Sequence, residues 1–93
     1  MLIISYDFEE NRPRAKFAKF IKKFGRKMQY SVFEVKNSPR VLKNILSEIE
    51  LKYKKQFSGS DSIVIVPLCE ACEKKMVRYG YAANEERDVI IFK

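Results

Sequence analysis

Residues 2–7 read Leu2-Ile3-Ile4-Ser5-Tyr6-Asp7, and this stretch sets the frame for the rest of the chain. It is an almost unbroken apolar run of strand length, which predicts a central strand covered on both faces or at an interface. The run ends on a carboxylate. An acid directly after a buried strand must reach solvent, accept backbone hydrogen bonds as a strand-end cap, or bind a cation.

Working outward, the period changes to that of a helix from Arg12 to Phe24, with Phe17, Phe20, Ile21 and Phe24 on one face. Asn11 can cap this helix, Pro13 suits its first turn, and Gly25 reads as its C-terminal glycine. At about 100° per residue, Arg12, Lys16, Lys19 and Lys23 form one stripe away from the phenylalanines. Between Met28 and Val35 the residues favour strand, but the apolar alternation slips phase between Val32 and Phe33. A bulge or tight turn must therefore split the segment into two short strands. Ser38-Pro39 opens a second helix, with Val41, Leu42, Ile45, Leu46 and Ile49 on one face and a polar run ending near Lys55. Asp61 to Leu68 reads as a second buried strand. Val77, Tyr79 and Tyr81 alternate as a further strand, and Asp88 to Phe92 supplies a short last one.

This order predicts one α+β domain over residues 1–93, a ferredoxin-like sandwich with two helices on one face of a mainly antiparallel sheet and a short extra C-terminal strand. Ninety-three residues with 46% hydrophobic content suffice for one core and leave no room for a separate catalytic domain. So small a domain gains from burying an open sheet face against a second copy.

Charge and composition narrow the function. The net charge of +7 favours a polyanionic partner, and residues 1–27 carry eight Lys or Arg against three acids. The longest apolar runs, Met1–Ile4 and Ile63–Leu68, fall far short of the roughly 20 residues a spanning helix needs. No signal peptide is visible, and two cysteines suit a reducing compartment, so the expected location is the cytoplasm. The chain has no histidine, which removes the usual Ser-His and Cys-His nucleophile pairs. Its three scattered glycines form no phosphate loop. Cys69-Glu70-Ala71-Cys72 has half the spacing of a zinc site without the other half. The pair is read as two small side chains in a turn, with intersubunit metal or redox use as the alternative.

Taken together, Ile4-Ser5-Tyr6-Asp7, the helix with Arg14 and Lys16, Gln29-Tyr30-Ser31-Val32-Phe33-Glu34, and Asp61 through Cys72 resemble, in order and spacing, the CRISPR-associated Cas-two family of small adaptation proteins. The resemblance covers nearly the whole chain. It implies a ferredoxin-like homodimer that joins CRISPR integrase subunits across double-stranded DNA destined to become a spacer. It also implies a metal-dependent endonuclease on single-stranded RNA or double-stranded DNA, with Asp7 as the magnesium ligand. Tyr6, Arg14, Lys16 and Phe33 are the further candidates for the active region. Lys16 stands where the family often has arginine and so lacks a bidentate fork for phosphate. One carboxylate per chain makes a poor magnesium site, whereas a dimer could supply two. The nucleic-acid-binding candidates are Arg12, Arg14, Lys16, Lys19 and Lys23. Two functions are expected, a DNA-bridging adaptor and a metal-dependent nuclease acting alone.

Overall fold

A computed structural model describes residues 1–77 and 79. Strand β1 (Leu2–Asp7) leads to helix α1 (Asn11–Ile21), the hairpin β2 (Gly25–Gln29) and β3 (Val32–Val35), helix α2 (Pro39–Glu48), strand β4 (Ser62–Pro67) and a short helix α3 (Glu70–Lys74). A π-helical turn (Ile49–Tyr53) and a 3-10 turn (Lys54–Gln56) prolong α2. All strand pairs are antiparallel, in the order β2-β3-β1-β4. This is the expected ferredoxin-like arrangement, with β1 flanked on both sides.

Register explains where the core lies. Leu2, Ile4 and Tyr6 stand opposite Val35 and Phe33 of β3 and opposite Pro67, Ile65 and Ile63 of β4. These positions share the buried face, on which Phe17, Ile21 and Ile45 have no exposed surface. Phe17 is the hub of an aromatic cluster, with Tyr6, Phe8 and Tyr53 ring centroids at 5.1, 5.8 and 5.0 Å. The edge-to-face pairs with Tyr6 and Tyr53 add about 0.5–1.5 kcal/mol each beyond burial. Ile3, Ser5 and Asp7 alternate onto the other face, which no helix covers among the described residues.

Several sequence expectations are corrected. α1 ends at Ile21, and Gly25 is the first residue of β2 rather than the helix's terminal glycine. A Cβ there would collide with the Glu34 carbonyl oxygen and lie 2.8 Å from the Val35 Cα, so glycine lets two backbones approach closely. Asn11 lies inside the helix, where its side-chain oxygen accepts from Arg14. The hairpin divides at Tyr30-Ser31, with Ser31 at φ 67°, and the irregular pairing falls between Lys27 and Gln29. The phase slip thus signals a real turn, displaced by the bulge beside Met28. Ser38 caps α2 as expected, its oxygen accepting from the Val41 N–H at 3.4 Å with Pro39 following. Leu46, however, is exposed rather than facing the core.

β4 is an edge strand of the described sheet, not a buried one, and Val64 and Val66 are 51% and 42% exposed on the uncovered face. Val77 and Tyr79 are exposed and belong to no strand among the described residues. The remainder of that expected strand, and the one at 88–92, lie outside the described residues.

Two outcomes test this packing. Gly25→Ala should destabilise the chain by about 1–3 kcal/mol in urea unfolding, because the added methyl meets backbone that cannot rotate away; an unchanged midpoint would refute the close approach. Burial raises the hydroxyl pKa of Tyr6, with Tyr30 adding to the rise and Arg14 opposing it, and burial likewise raises that of Tyr53. The folded chain therefore keeps these protons beyond the pH at which the unfolded chain releases them. Their contribution is complete below the ordinary tyrosine value of 10.0 and is lost as pH climbs through the raised values. Unfolding midpoints should fall with rising pH in that window, and less steeply in Tyr6→Phe.

Candidate nucleic-acid interface and Asp7 site

Asp7 closes β1 opposite Ser62 of β4, and it is exposed. Next to it, the Tyr6 N–H donates to the Ser31 carbonyl at 3.1 Å, which brings the tip of the β2–β3 hairpin to the same end of the sheet. Tyr30 at that tip is 73% exposed, with the Lys27 ammonium 5.6 Å from its ring centroid. An exposed aromatic ring beside a cation is a surface on which a nucleobase can stack.

The loop after Asp7 is held from two sides. Asp61 accepts from the Glu9 N–H at 2.8 Å and from the Ser58 N–H at 3.0 Å, tying the β1–α1 loop to the turn before β4. Arg14 reaches back from α1, donating to the Phe8 carbonyl at 3.2 Å, to the Glu9 carbonyl at 3.4 Å and to Asn11. Phe8 is buried between them, its ring 5.8 Å from Phe17 and from Phe57. Charge-assisted bonds to backbone and a buried ring fix the chain one residue beyond the carboxylate.

The candidate residues from the sequence divide into three groups. Tyr6 and Phe33 are core residues with stacked rings 6.2 Å apart, on the opposite face of the sheet from Asp7. Arg14 is half-buried and engaged with the loop. Arg12, Lys16, Lys19 and Lys23 are exposed, the first three on α1 and Lys23 in the turn that follows it. Among the described residues, none of these four cations nor Arg14 forms an ion pair with a carboxylate, whereas Arg26, Lys52 and Lys54 each do. The stripe is thus positive charge without an internal counterion.

As for magnesium, no group of three or more acidic, cysteine or histidine side chains converges among the described residues. Asp7 still fits such an ion, because magnesium is commonly held by one or two carboxylates together with water and substrate phosphate. Sequence reasoning missed Asp61, whose partner Glu9 lies far away in the chain. It also missed Tyr53, which the π-helical turn brings inward so that its hydroxyl donates to the Lys16 carbonyl at 3.4 Å. Its spacing of four from Ile49 was the available signal. Tyr30 carried no signal of exposure. No helix among the described residues is long and apolar enough to cross a membrane.

Comparison with known proteins agrees with the fold. A family model described as CRISPR associated protein Cas2 matches residues 1–76. A protein of Methanospirillum hungatei named CRISPR-associated endoribonuclease Cas2 is 28% identical over 92 residues, covering 97% of each chain. One of the same name from Archaeoglobus fulgidus is 30% identical over 76 residues, covering 81% of this chain and 78% of its own length. Among solved structures, a hypothetical protein from Thermus thermophilus superposes with a TM-score of 0.61 at 26% identity, over 73% of this chain and 79% of that one. With the family model spanning the entire described sheet and its helices, the chain belongs to the CRISPR-associated Cas2 family.

Proposed function

We propose that this protein acts in CRISPR adaptation as a dimeric bridge between integrase subunits and the double-stranded DNA to be inserted, with a metal-dependent endonuclease activity at Asp7. The observation that carries the reading is the row of exposed cations on one side of α1, at Arg12, Lys16 and Lys19, continued by Lys23, none of them in an ion pair among the described residues. Such a row contacts phosphates without reading sequence, since release of condensed counterions drives the binding. The uncovered sheet face with Val64 and Val66 suits a homodimer, because apolar residues on an edge strand gain most from a second copy.

The second reading, a nuclease acting alone, is favoured by the relatives named endoribonucleases and by the exposure of Asp7. In it, Asp7 would hold a magnesium ion at the exposed end of β1. The ion would supply neutralisation of phosphate charge and acidification of water. Arg14 and Asp61 keep the loop after Asp7 in place, Lys16 offers a point charge to phosphate, and Tyr6 and Phe33 anchor the strands from the core side. A second Asp7 from a dimer partner completes the set of carboxylates. The cytoplasm is the compartment this reading assigns to the protein.

Two measurements address the proposal. In Asp7→Asn, hydrolysis should fall by orders of magnitude while spacer integration in cells continues; loss of integration in a variant that remains a folded dimer would reverse the ranking of bridge and nuclease. DNA affinity should fall steeply with salt, with a log–log slope of about 0.9 per duplex phosphate contacted. Replacing Arg12, Lys16 and Lys19 by Gln should flatten that slope, and a salt-insensitive wild type would remove the stripe from the interface.

A further inference from the structure

Cys69 and Cys72 are outside the Asp7 site and the basic stripe, and the proposed function uses neither. Both are exposed. Cys69 is the N-cap of α3, with extended backbone (φ −75°, ψ 168°), and its carbonyl accepts the first hydrogen bond of the helix from the Glu73 N–H at 2.9 Å. Cys72 continues the same turn, with its carbonyl accepting from Lys75 at 3.1 Å. An N-cap side chain turns toward the third residue of the helix it caps, here Cys72, which brings the two sulfurs near each other at the start of α3. A disulfide needs Cβ atoms about 3.5–4.5 Å apart, and the exposed start of a five-residue helix leaves the pair room to reach that spacing.

The platform around the pair is fixed. The Met1 ammonium contacts the Leu68 carbonyl at 3.1 Å and the Glu73 carboxylate, and the Leu68 N–H donates to the Met1 carbonyl at 2.8 Å. The segment on either side of the two thiols is thereby tied to the start of β1. The thiols are also unequal. The amide and thiol of Cys72 draw Cys69 below the ordinary thiol value, while the proximity of Cys69 pushes Cys72 above it. A closed zinc site takes four ligands, and no third ligand group converges on the pair among the described residues.

We propose that Cys69 and Cys72 form a reversible dithiol–disulfide site that reacts with small-molecule disulfides of the glutathione type. The Cys69 thiolate attacks one sulfur of the disulfide, forming a mixed disulfide and expelling one thiolate. Cys72 then gives up its proton and attacks the Cys69 sulfur, expelling the second thiolate and leaving a Cys69–Cys72 bond. The two protons released by the protein's thiols are matched by the two small thiolates formed, so one disulfide is reduced to two thiols as the pair is oxidised. Exposure supplies access, and the low side of the pair supplies the nucleophile.

The test uses the full chain equilibrated in glutathione buffers of increasing oxidation, quenched with acid, alkylated with N-ethylmaleimide and weighed intact. The expected result is a monomeric species lighter by two hydrogens, with maleimide labelling of both cysteines reduced about tenfold or more at the oxidising end and restored by dithiothreitol. Cys69→Ser and Cys72→Ser should each leave the other cysteine as a glutathione mixed disulfide, with an unchanged circular dichroism spectrum. Full labelling of both thiols at every glutathione ratio would overturn the proposal. A disulfide found only between chains would do the same, as would protection of reduced thiols by zinc alone at one ion per two chains.

Discussion

The alternation of β1 is the constraint on which the rest depends. Leu2, Ile4 and Tyr6 are buried against α1 and α2, so Ile3, Ser5 and Asp7 must emerge on the uncovered face. A slip of one residue would put the carboxylate into the aromatic cluster and Tyr6 into solvent, and the flanking registers of β3 and β4 forbid it. Asp7 owes its position to the residue before it. Tyr6 packs edge-on to Phe17 at 5.1 Å, and Phe8 after it is buried too, so the acid projects between two anchored rings.

Charge is sorted in a comparable way. Arg26 pairs with Glu34 across the hairpin at 2.8 Å, and Lys52 pairs with Glu48 along the helix at 2.8 Å. Exposed pairs of this kind contribute about 0–1 kcal/mol and leave little net field. Among the described residues the cations of α1 have no such partner, and their field extends into solvent. Arg14 stands apart from them, since its donors are spent on the loop after Asp7. Those hydrogen bonds hold the loop in place beside the expected phosphate contact.

Much of the fold was legible because its strongest signals are local. The i, i+3, i+4, i+7 spacing from Phe17 to Phe24 and the Ser38-Pro39 start of α2 need no knowledge of partners. What failed were residues whose roles depend on distant chain. A glycine that ends a helix and one that admits a neighbouring backbone look alike, so Gly25 was misassigned. Asp61 is a common turn residue until the fold brings it to the Glu9 amide. β4 reads as buried because its Ile-Val-Ile-Val run is apolar on both faces, and composition does not say whether a second face is covered by the same chain. Asp7 was legible as a residue to watch, but its separation from Tyr6 and Phe33 across the sheet required the register.

The central claim is that β1 divides structure from chemistry between adjacent residues, with Tyr6 serving the core and Asp7 free for a ligand. Urea unfolding of Tyr6→Ala and Asp7→Asn beside the wild type tests this directly. The account predicts a loss of about 3–5 kcal/mol for Tyr6→Ala, as for a buried aromatic, and a change within about 0.5 kcal/mol for Asp7→Asn, as for an exposed surface group. Comparable destabilisation by the two substitutions would show that Asp7 is a structural cap and contradict the account.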